Sequence, residues 1–143
     1  MIPEFDPRGS LPPGVYDTTL AEIEERLAFN ADRQSLVEGL KRAVENLRTA
    51  GVRRVWVDGS FVTHKPEPGD IDGCWDPKGV DPALIDPVLL DFEHSRAAMK
   101  AKYGVDFFPN VLEGASGKAF YRFFQYDRDQ DRRGILLLDL GGE

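Results

Sequence analysis

The chain has 143 residues, of which 41% are hydrophobic and 30% are charged, and these values predict one globular domain over residues 1–143. Its formal net charge of −7 argues against binding of extended duplex DNA, because such binders usually carry an excess of Lys and Arg. The one cysteine, Cys74, excludes an internal disulfide and a multi-cysteine zinc site. No apolar run approaches the ~20 residues that cross a bilayer, and no signal peptide is recognisable, so we expect a cytoplasmic protein without membrane contact.

The N-terminal third predicts an arm followed by two helices. Residues 1–17 are rich in Pro and Gly and predict an extended, irregular arm that packs on the body of the domain. Thr19 and Glu22 have the spacing of a capping box, so a short helix is expected to begin there and to end near Phe29. Residues 32–51 carry apolar side chains at helical spacing and end in a glycine, which predicts the strongest helix of the chain.

Two short strands with a loop between them are predicted at the centre of the chain. Residues 55–57 are apolar and lead into a Gly-Ser turn, whereas 61–69 contain two prolines and a glycine and predict a loop. Residues 70–75 predict the second strand. A helix is then predicted over 81–104, because it opens with an Asp-Pro pair typical of a helix start, and Pro87 is a candidate break.

The remaining segments complete an α/β pattern. They predict a third strand at 104–108, a short aromatic-rich helix at 117–127 that lines the core, and a final buried strand at 134–140. No internal repeat or low-complexity segment interrupts this order. The succession of helices and strands predicts an α/β (α+β) domain with a small mixed sheet flanked by helices.

Asp70 and Asp72 carry the chemistry that most needs an explanation. Ile71 separates them, so in a strand both carboxylates lie on one face, where two like charges are costly unless a cation compensates them. The preceding Gly59-Ser60 turn exposes backbone N–H groups that suit a triphosphate. Carboxylates at this spacing can share a pair of Mg²⁺ ions about 3.5–4 Å apart, so the segment predicts a phosphate and metal site.

The two motifs Gly59-Ser60 and Asp70-Ile71-Asp72, with nine residues between them, resemble the signature of the nucleotidyltransferase superfamily typified by DNA polymerase beta. The resemblance implies a minimal nucleotidyltransferase fold and a third carboxylate on a later strand, which matches Asp106. It also implies that the turn holds the phosphates of an NTP. Asp70, Asp72 and Asp106 would then be the catalytic residues and the ligands of Mg²⁺ (or Mn²⁺), with Asp106 helping to activate the acceptor hydroxyl.

The resemblance further implies transfer of an NMP from an NTP such as ATP to a hydroxyl group of a protein, an RNA end or a small molecule. Lys65, in the loop between the turn and the carboxylates, would contact a nucleotide phosphate or would simply be a solvated loop lysine. The arm and the run 58–72 together are also similar to small bacterial and phage nucleotidyltransferase-like proteins, which implies a place in a toxin–antitoxin or phage-defence pair.

Two other functions stay open at this point. Asp58 stands where the superfamily usually has an apolar residue, and Pro66 and Pro68 leave little room for a helix after the turn. These departures favour a catalytically inactive protein of the same fold that binds a partner, as an antitoxin-like or regulatory subunit would. A binder of RNA ends is the third candidate.

The two histidines and the cysteine are expected to have structural roles. His64 and His94 are far apart in sequence and have no metal-ligand partners at a suitable spacing. Cys74 lies in an apolar strand, which predicts a buried, unreactive thiol.

Overall fold

Five strands form one mixed sheet in the computed structural model, which describes residues 1–110 and 133–141. The strands are β1 (Gly14–Thr18), β2 (Arg54–Asp58), β3 (Ile71–Trp75), β4 (Val105–Pro109) and β5 (Gly134–Asp139). Their order in the sheet is β1-β5-β2-β3-β4. The pairs β1–β5 and β3–β4 are parallel, whereas β2 is antiparallel to both β3 and β5. The predicted α/β class with a small mixed sheet is confirmed.

Three α-helices accompany the sheet in the described residues: α1 (Leu20–Leu27), α2 (Ala31–Thr49) and α3 (Glu93–Tyr103). The first two confirm the predicted pair of helices. Thr19 caps α1 as expected, because its hydroxyl accepts a hydrogen bond from the backbone N–H of Glu22 at 3.1 Å. The Glu22 carboxylate instead accepts the backbone N–H of Ile2 at 2.7 Å and thereby ties the N-terminal arm to the helix.

The two faces of the sheet have different surroundings. Val57 and other strand residues of one face share the main hydrophobic core with α1, α2 and α3. Trp56 and Cys74, which point the other way, belong to a second and smaller cluster. Because side chains alternate along a strand, Asp72 and Asp106 lie on this second face, opposite the main hydrophobic core.

The end of the N-terminal arm differs from the prediction. Gly14–Thr18 form β1, so the interpretation of these residues as irregular was wrong. The strand pairs with β5, more than 100 residues later, and such a distant partner leaves no signal in the local composition. The predicted packing of the arm is confirmed by Ile2 and Leu11, each 1% exposed, whereas Val15 lies on the outward side of this edge strand and is exposed.

The single helix predicted over 81–104 was also wrong in its first half. Pro82–Leu84 and Pro87–Leu90 form two separate 3₁₀ turns, and α3 begins only after them. Asp81 and Asp86 cap these turns by accepting the backbone N–H groups two residues later, each at 3.0 Å. Proline has no N–H to donate, so each Asp-Pro pair starts a turn of its own and interrupts a continuous helix.

The strands predicted at 55–57, 70–75, 104–108 and 134–140 are confirmed as β2 to β5. The helix predicted at 117–127 lies outside the described residues. Within 1–110 and 133–141, no helix is both long enough and apolar enough to cross a membrane.

Candidate metal centre

Asp70, Asp72 and Asp106 come together where β3 and β4 begin. Asp72 and Asp106 are direct partners across these parallel strands, so their side chains lie on the same face of the sheet. Asp70 immediately precedes β3 and has the same alternation as Asp72. One carboxylate oxygen of each residue lies within 4.8 Å of the other two. The fold therefore brings together the three carboxylates that the sequence analysis singled out.

The Gly-Ser turn lies directly against this cluster. Gly59 has a φ of +84°, in the region that favours glycine, and a Cβ added there would lie 2.0 Å from Oδ2 of Asp72. Only a residue without a side chain can therefore occupy the position. Ser60 begins the 3₁₀ turn Ser60–Val62, which is much shorter than a helix and leads into the predicted loop. The turn thus places bare backbone beside a candidate metal ligand.

Burial and mutual repulsion oppose ionisation of these carboxylates. Desolvation, followed by the charges of Asp70 and Asp106, raises the pKa of Asp72 to about 7. Desolvation, followed by the charge of Asp106, also raises the pKa of Asp70. A divalent cation would offset both causes, because it replaces lost hydration and compensates the repulsion. Three carboxylates are also the hard oxygen donors that Mg²⁺ and Mn²⁺ prefer, so the residues present fit such an ion.

Two basic residues of α3 already compensate part of this negative charge. Arg96 donates two hydrogen bonds to Asp106, from Nε to Oδ1 at 2.8 Å and from Nη2 to Oδ2 at 3.1 Å. Lys100 Nζ lies 3.6 Å from Oδ2 of Asp106 and 3.8 Å from Oδ2 of Asp70. The bond with Asp106 raises the pKa of Arg96. Because a carboxylate has about four lone-pair sites, the pairing with Arg96 leaves sites on Asp106 for a metal ion.

Arg96 reaches Asp106 from an uncommon backbone conformation. His94, Ser95 and Arg96 have φ values of 53°, 57° and 62°, and the left-handed conformation costs a residue other than glycine about 1–2 kcal/mol. The right-handed part of α3 follows at Ala97. Strain of this kind concentrates at functional sites, and here it lies next to the residue that holds the third carboxylate.

Asp58, the last residue of β2, is a fourth carboxylate beside the three. It is the antiparallel partner of Asp72 and is fully buried. Within the described residues neither of its oxygens accepts a well-directed hydrogen bond, and Arg133 Nη2 lies 3.6 Å from Oδ2. Desolvation raises the pKa of Asp58 to about 7, while Arg133 and the nearby N–H of Gly59 lower it. Asp58 is therefore buried and paired with Arg133, so its carboxylate is not exposed on the surface of the glycine turn.

Arg33 holds the loop that follows the turn. Its fully buried guanidinium donates hydrogen bonds to backbone carbonyls of Leu27, Ser60, Phe61, Thr63 and Lys65. Desolvation lowers the pKa of Arg33 to about 10. Since four of these carbonyls belong to residues 60–65, the position of the turn beside the carboxylates depends on a residue of α2.

Lys65 is not joined to the carboxylates by any side-chain contact found among the described residues. Lys65 is exposed. Its backbone carbonyl accepts a hydrogen bond from Arg33 Nε at 3.0 Å, and its backbone N–H donates one to Thr63 Oγ1 at 3.1 Å. Its contact with a nucleotide phosphate stays a prediction. Arg96 and Lys100 are the basic residues that lie against the cluster instead.

The cysteine and the two histidines were expected to have structural roles, and the structure describes the surroundings of each. Cys74 is buried, and desolvation followed by the charge of Asp58 raises the pKa of its thiol, as expected of an unreactive cysteine. His64 packs edge-on against Phe5 of the N-terminal arm, with 6.1 Å between the ring centroids. His94 is exposed within the left-handed turn.

Three basic residues of this region are not identified by the sequence analysis. Arg33 has a signal that would have identified it, because it lies four and seven residues before Val37 and Leu40, on the buried stripe of α2. Arg96 and Lys100 have the four-residue spacing of one helix face, but their approach to the carboxylates depends on the left-handed turn, for which the sequence offers no glycine as a signal.

The chain matches a protein-family model over most of its length. A family model described as "Family of unknown function (DUF6932)" matches residues 3–139, which is nearly the whole chain. The chain belongs to this family. No curated protein and no solved structure is a significant match to this DUF6932 protein.

Proposed function

We propose that this protein is a metal-dependent nucleotidyltransferase that moves an NMP from an NTP to a hydroxyl acceptor. The observation that supports this most directly is the approach of Asp70, Asp72 and Asp106 within 4.8 Å of one another, with the backbone of Gly59 against Asp72. The combination supplies metal ligands and a bare backbone for phosphate within one small region. The resemblance of the two sequence motifs to the nucleotidyltransferase signature supports the same reaction.

The proposed roles follow from the positions of the residues. Asp70, Asp72 and Asp106 would hold Mg²⁺ or Mn²⁺, and the N–H groups of the Gly59-Ser60 turn would bind the phosphates of the NTP. Arg33 would keep the turn in place through the carbonyls of the following loop. A bound divalent ion would neutralise the phosphate charge and lower the pKa of the attacking hydroxyl.

The proposed reaction is an in-line displacement at the α-phosphorus. The acceptor oxygen forms a bond to that phosphorus, the bond to the bridging oxygen of the β-phosphate breaks, and pyrophosphate leaves with the electron pair. The proton of the hydroxyl passes to a carboxylate, for which Asp106 is the candidate. Such a transfer needs positioning and charge compensation more than covalent help from the protein, which suits a domain of this size.

Transfer of label tests the proposal. The protein is incubated with each α-³²P-labelled NTP and a cell lysate, in Mg²⁺ and separately in Mn²⁺, and labelled products are identified. We expect a labelled acceptor with the wild type and with Asp17→Asn, which changes an exposed carboxylate outside the site. We expect no labelled acceptor with the double variant Asp70→Asn/Asp72→Asn. Absence of any labelled product with the wild type in both metals would favour the second candidate function.

That second candidate is a catalytically inactive protein of the same fold that binds a partner. The bidentate pairing of Arg96 with Asp106, together with Lys100 near Asp70, favours it, because these cations compensate the carboxylates without a metal. In an enzyme, Arg96→Gln removes a competing positive charge and should raise the affinity for Mg²⁺ by a few fold. In an inactive protein, neither the wild type nor this variant binds Mg²⁺ saturably in titration calorimetry.

A further inference from the structure

We infer that the acceptor is the 3′-terminal nucleotide of a single-stranded nucleic acid, and that its base stacks on Phe92. This inference rests on the proposed nucleotidyl transfer and names the class of acceptor for it. Three observations support the inference. They are an aromatic stack beside Asp106, the position of that stack relative to the glycine turn, and the basic residues next to the stack.

The aromatic stack consists of Phe92 and Phe108. Their rings are nearly parallel, with an interplanar angle of 6° and 5.7 Å between centroids. Phe108 is two residues after Asp106 on β4, so both side chains point to the same face of the sheet. Phe92 is 41% exposed although its ring is large and apolar. A nucleobase has a π-face of similar size and would cover this exposed surface by stacking.

The order of the strands separates two sides of the carboxylate cluster. Gly59 follows β2, Asp72 lies on the neighbouring strand β3, and Asp106 lies on β4 at the edge of the described sheet. If the turn holds the triphosphate, the acceptor approaches from the other side of Asp72, where Asp106 and Phe108 lie. Phe92 is therefore positioned for the base of the acceptor and not for the base of the NTP on the opposite side.

Basic side chains beside the stack, which also pair with the carboxylates of the site, favour a nucleic acid over a protein tyrosine as the acceptor. Arg96 lies over the ring of Phe108, with 5.1 Å from Cζ to the centroid, and bonds Asp106 at the same time. Lys100 is near the same carboxylate. These cations would meet the phosphate of a polynucleotide, whereas a tyrosine side chain carries no such charge.

A bound metal ion would strengthen this attraction. Among the described residues, the cations Arg96, Lys100 and Arg133 face four carboxylates at this site. With all groups ionised, one divalent ion changes the formal charge of the site from negative to positive. An overall acidic protein can thus attract a short, charged 3′ end at one location, in agreement with the expectation that it does not bind extended duplexes.

Binding without turnover tests the inference. Fluorescence anisotropy is measured in Mg²⁺, without NTP, for a short 5′-labelled oligoribonucleotide and for the same oligonucleotide with an abasic 3′-terminal residue. We expect the abasic end and the variant Phe92→Ala each to weaken binding by about tenfold, and the two changes together to cost little more than either alone. Phe92→Trp should retain or improve the affinity, and Leu84→Ala, which removes an exposed apolar side chain elsewhere, should leave it unchanged.

The outcomes separate this inference from the proposed function. Equal binding of intact and abasic oligonucleotides, or no effect of Phe92→Ala, would overturn the inference, and Mg²⁺ binding by the same variant would show that the metal site survives. Tighter binding of a tyrosine-containing peptide than of the oligonucleotide, lost in Phe92→Ala, would assign the stack to a protein acceptor and overturn the nucleic-acid assignment. If the wild type binds no Mg²⁺, the proposed function fails, and the inference fails with it.

Discussion

Gly59 and Asp72 are so close that no side chain fits between them: a Cβ on Gly59 would lie 2.0 Å from Oδ2 of Asp72. The carboxylate therefore packs against the bare backbone of the turn. This relationship explains why a glycine precedes Ser60 and links the conformation of the turn to the geometry of the candidate metal ligands. It also offers a direct way to disturb the candidate metal centre without removing a carboxylate.

Gly59→Ala should displace Asp72 and weaken metal binding. With a φ of +84° and a ψ of −163°, Gly59 has a backbone conformation that essentially only glycine adopts, which costs alanine about 1–3 kcal/mol. The clash adds to this cost, so we expect the free energy of unfolding to fall by about 3 kcal/mol. Gly79→Ala is the matched control, because Gly79 has a φ of +75° but no atom of the described residues lies within 4 Å of an added Cβ. Urea denaturation and Mg²⁺ titration check both variants. Equal losses of stability in the two variants, or unchanged Mg²⁺ affinity in Gly59→Ala, would contradict this account of the turn.

Arg33→Met should be strongly destabilising. The substitution keeps the apolar stem but removes the Arg33 hydrogen bonds to five backbone carbonyls, one of which, that of Ser60, also accepts from Thr63. We expect a loss of about 3–5 kcal/mol in the free energy of unfolding. Arg48→Met is the control, because Arg48 is exposed and its ion pair among the described residues is with Glu45 one turn away, so it should change stability by less than about 0.5 kcal/mol. A small effect of Arg33→Met would mean that the loop after the turn does not depend on this residue.

Ser95→Gly should stabilise the protein. Glycine tolerates the left-handed conformation of residue 95, so the free energy of unfolding should rise by about 0.5–1 kcal/mol after the entropic cost of glycine is included. Ala97→Gly, two residues later in the right-handed part of α3, should lower it by about 1 kcal/mol. Thermal denaturation compares the two. If both substitutions destabilise equally, the turn at residues 94–96 is not left-handed in solution.

Stability without metal should fall as the pH rises from about 5 to 7. The pKa of Asp72 and of Asp58 is about 7 in the folded protein, against an ordinary value of 3.8, so in this window the unfolded chain has released protons that the folded protein keeps. Each proton kept makes the free energy of unfolding decrease with pH. The carboxyl of Asp86, whose pKa is lowered to about 2 by Lys102 and Tyr103, is ionised in both states over this range and adds no slope.

Urea denaturation in a chelator-containing buffer measures that slope. Asp72→Asn should make it shallower, because residue 72 no longer titrates, whereas Asp17→Asn should leave it unchanged. A slope of the opposite sign, or one that Asp72→Asn does not alter, would show that these carboxylates ionise normally.

The parts of the fold that could be predicted from sequence are those with a local signal. The apolar stripe of α2, the alternation in β3 and the caps at Thr19 and Asp81 are each encoded within a few residues. β1 could not be predicted, because its partner β5 is distant in sequence and its own composition is that of a Pro- and Gly-rich arm. The helix predicted over 81–104 failed because two Asp-Pro pairs form separate turns.

The candidate site likewise contains residues that could be predicted from sequence and residues that could not. Asp70 and Asp72 follow from strand spacing alone, whereas Asp106 entered only through the resemblance to nucleotidyltransferases, since its pairing with Asp72 depends on the register of two strands. Arg96 could not be placed from sequence, because three consecutive left-handed residues without a glycine have no compositional signature.

The central claim is that Asp70, Asp72 and Asp106 bind a divalent ion, and titration calorimetry with Mg²⁺ tests it most directly. The measurement is made at pH 8, above the pKa of about 7 at Asp72, where proton competition is small. We predict saturable binding by the wild type and by Asp17→Asn, tightened by an NTP, and none by Asp70→Asn/Asp72→Asn. Absence of saturable binding by the wild type, or equal binding by the double variant, would contradict the claim.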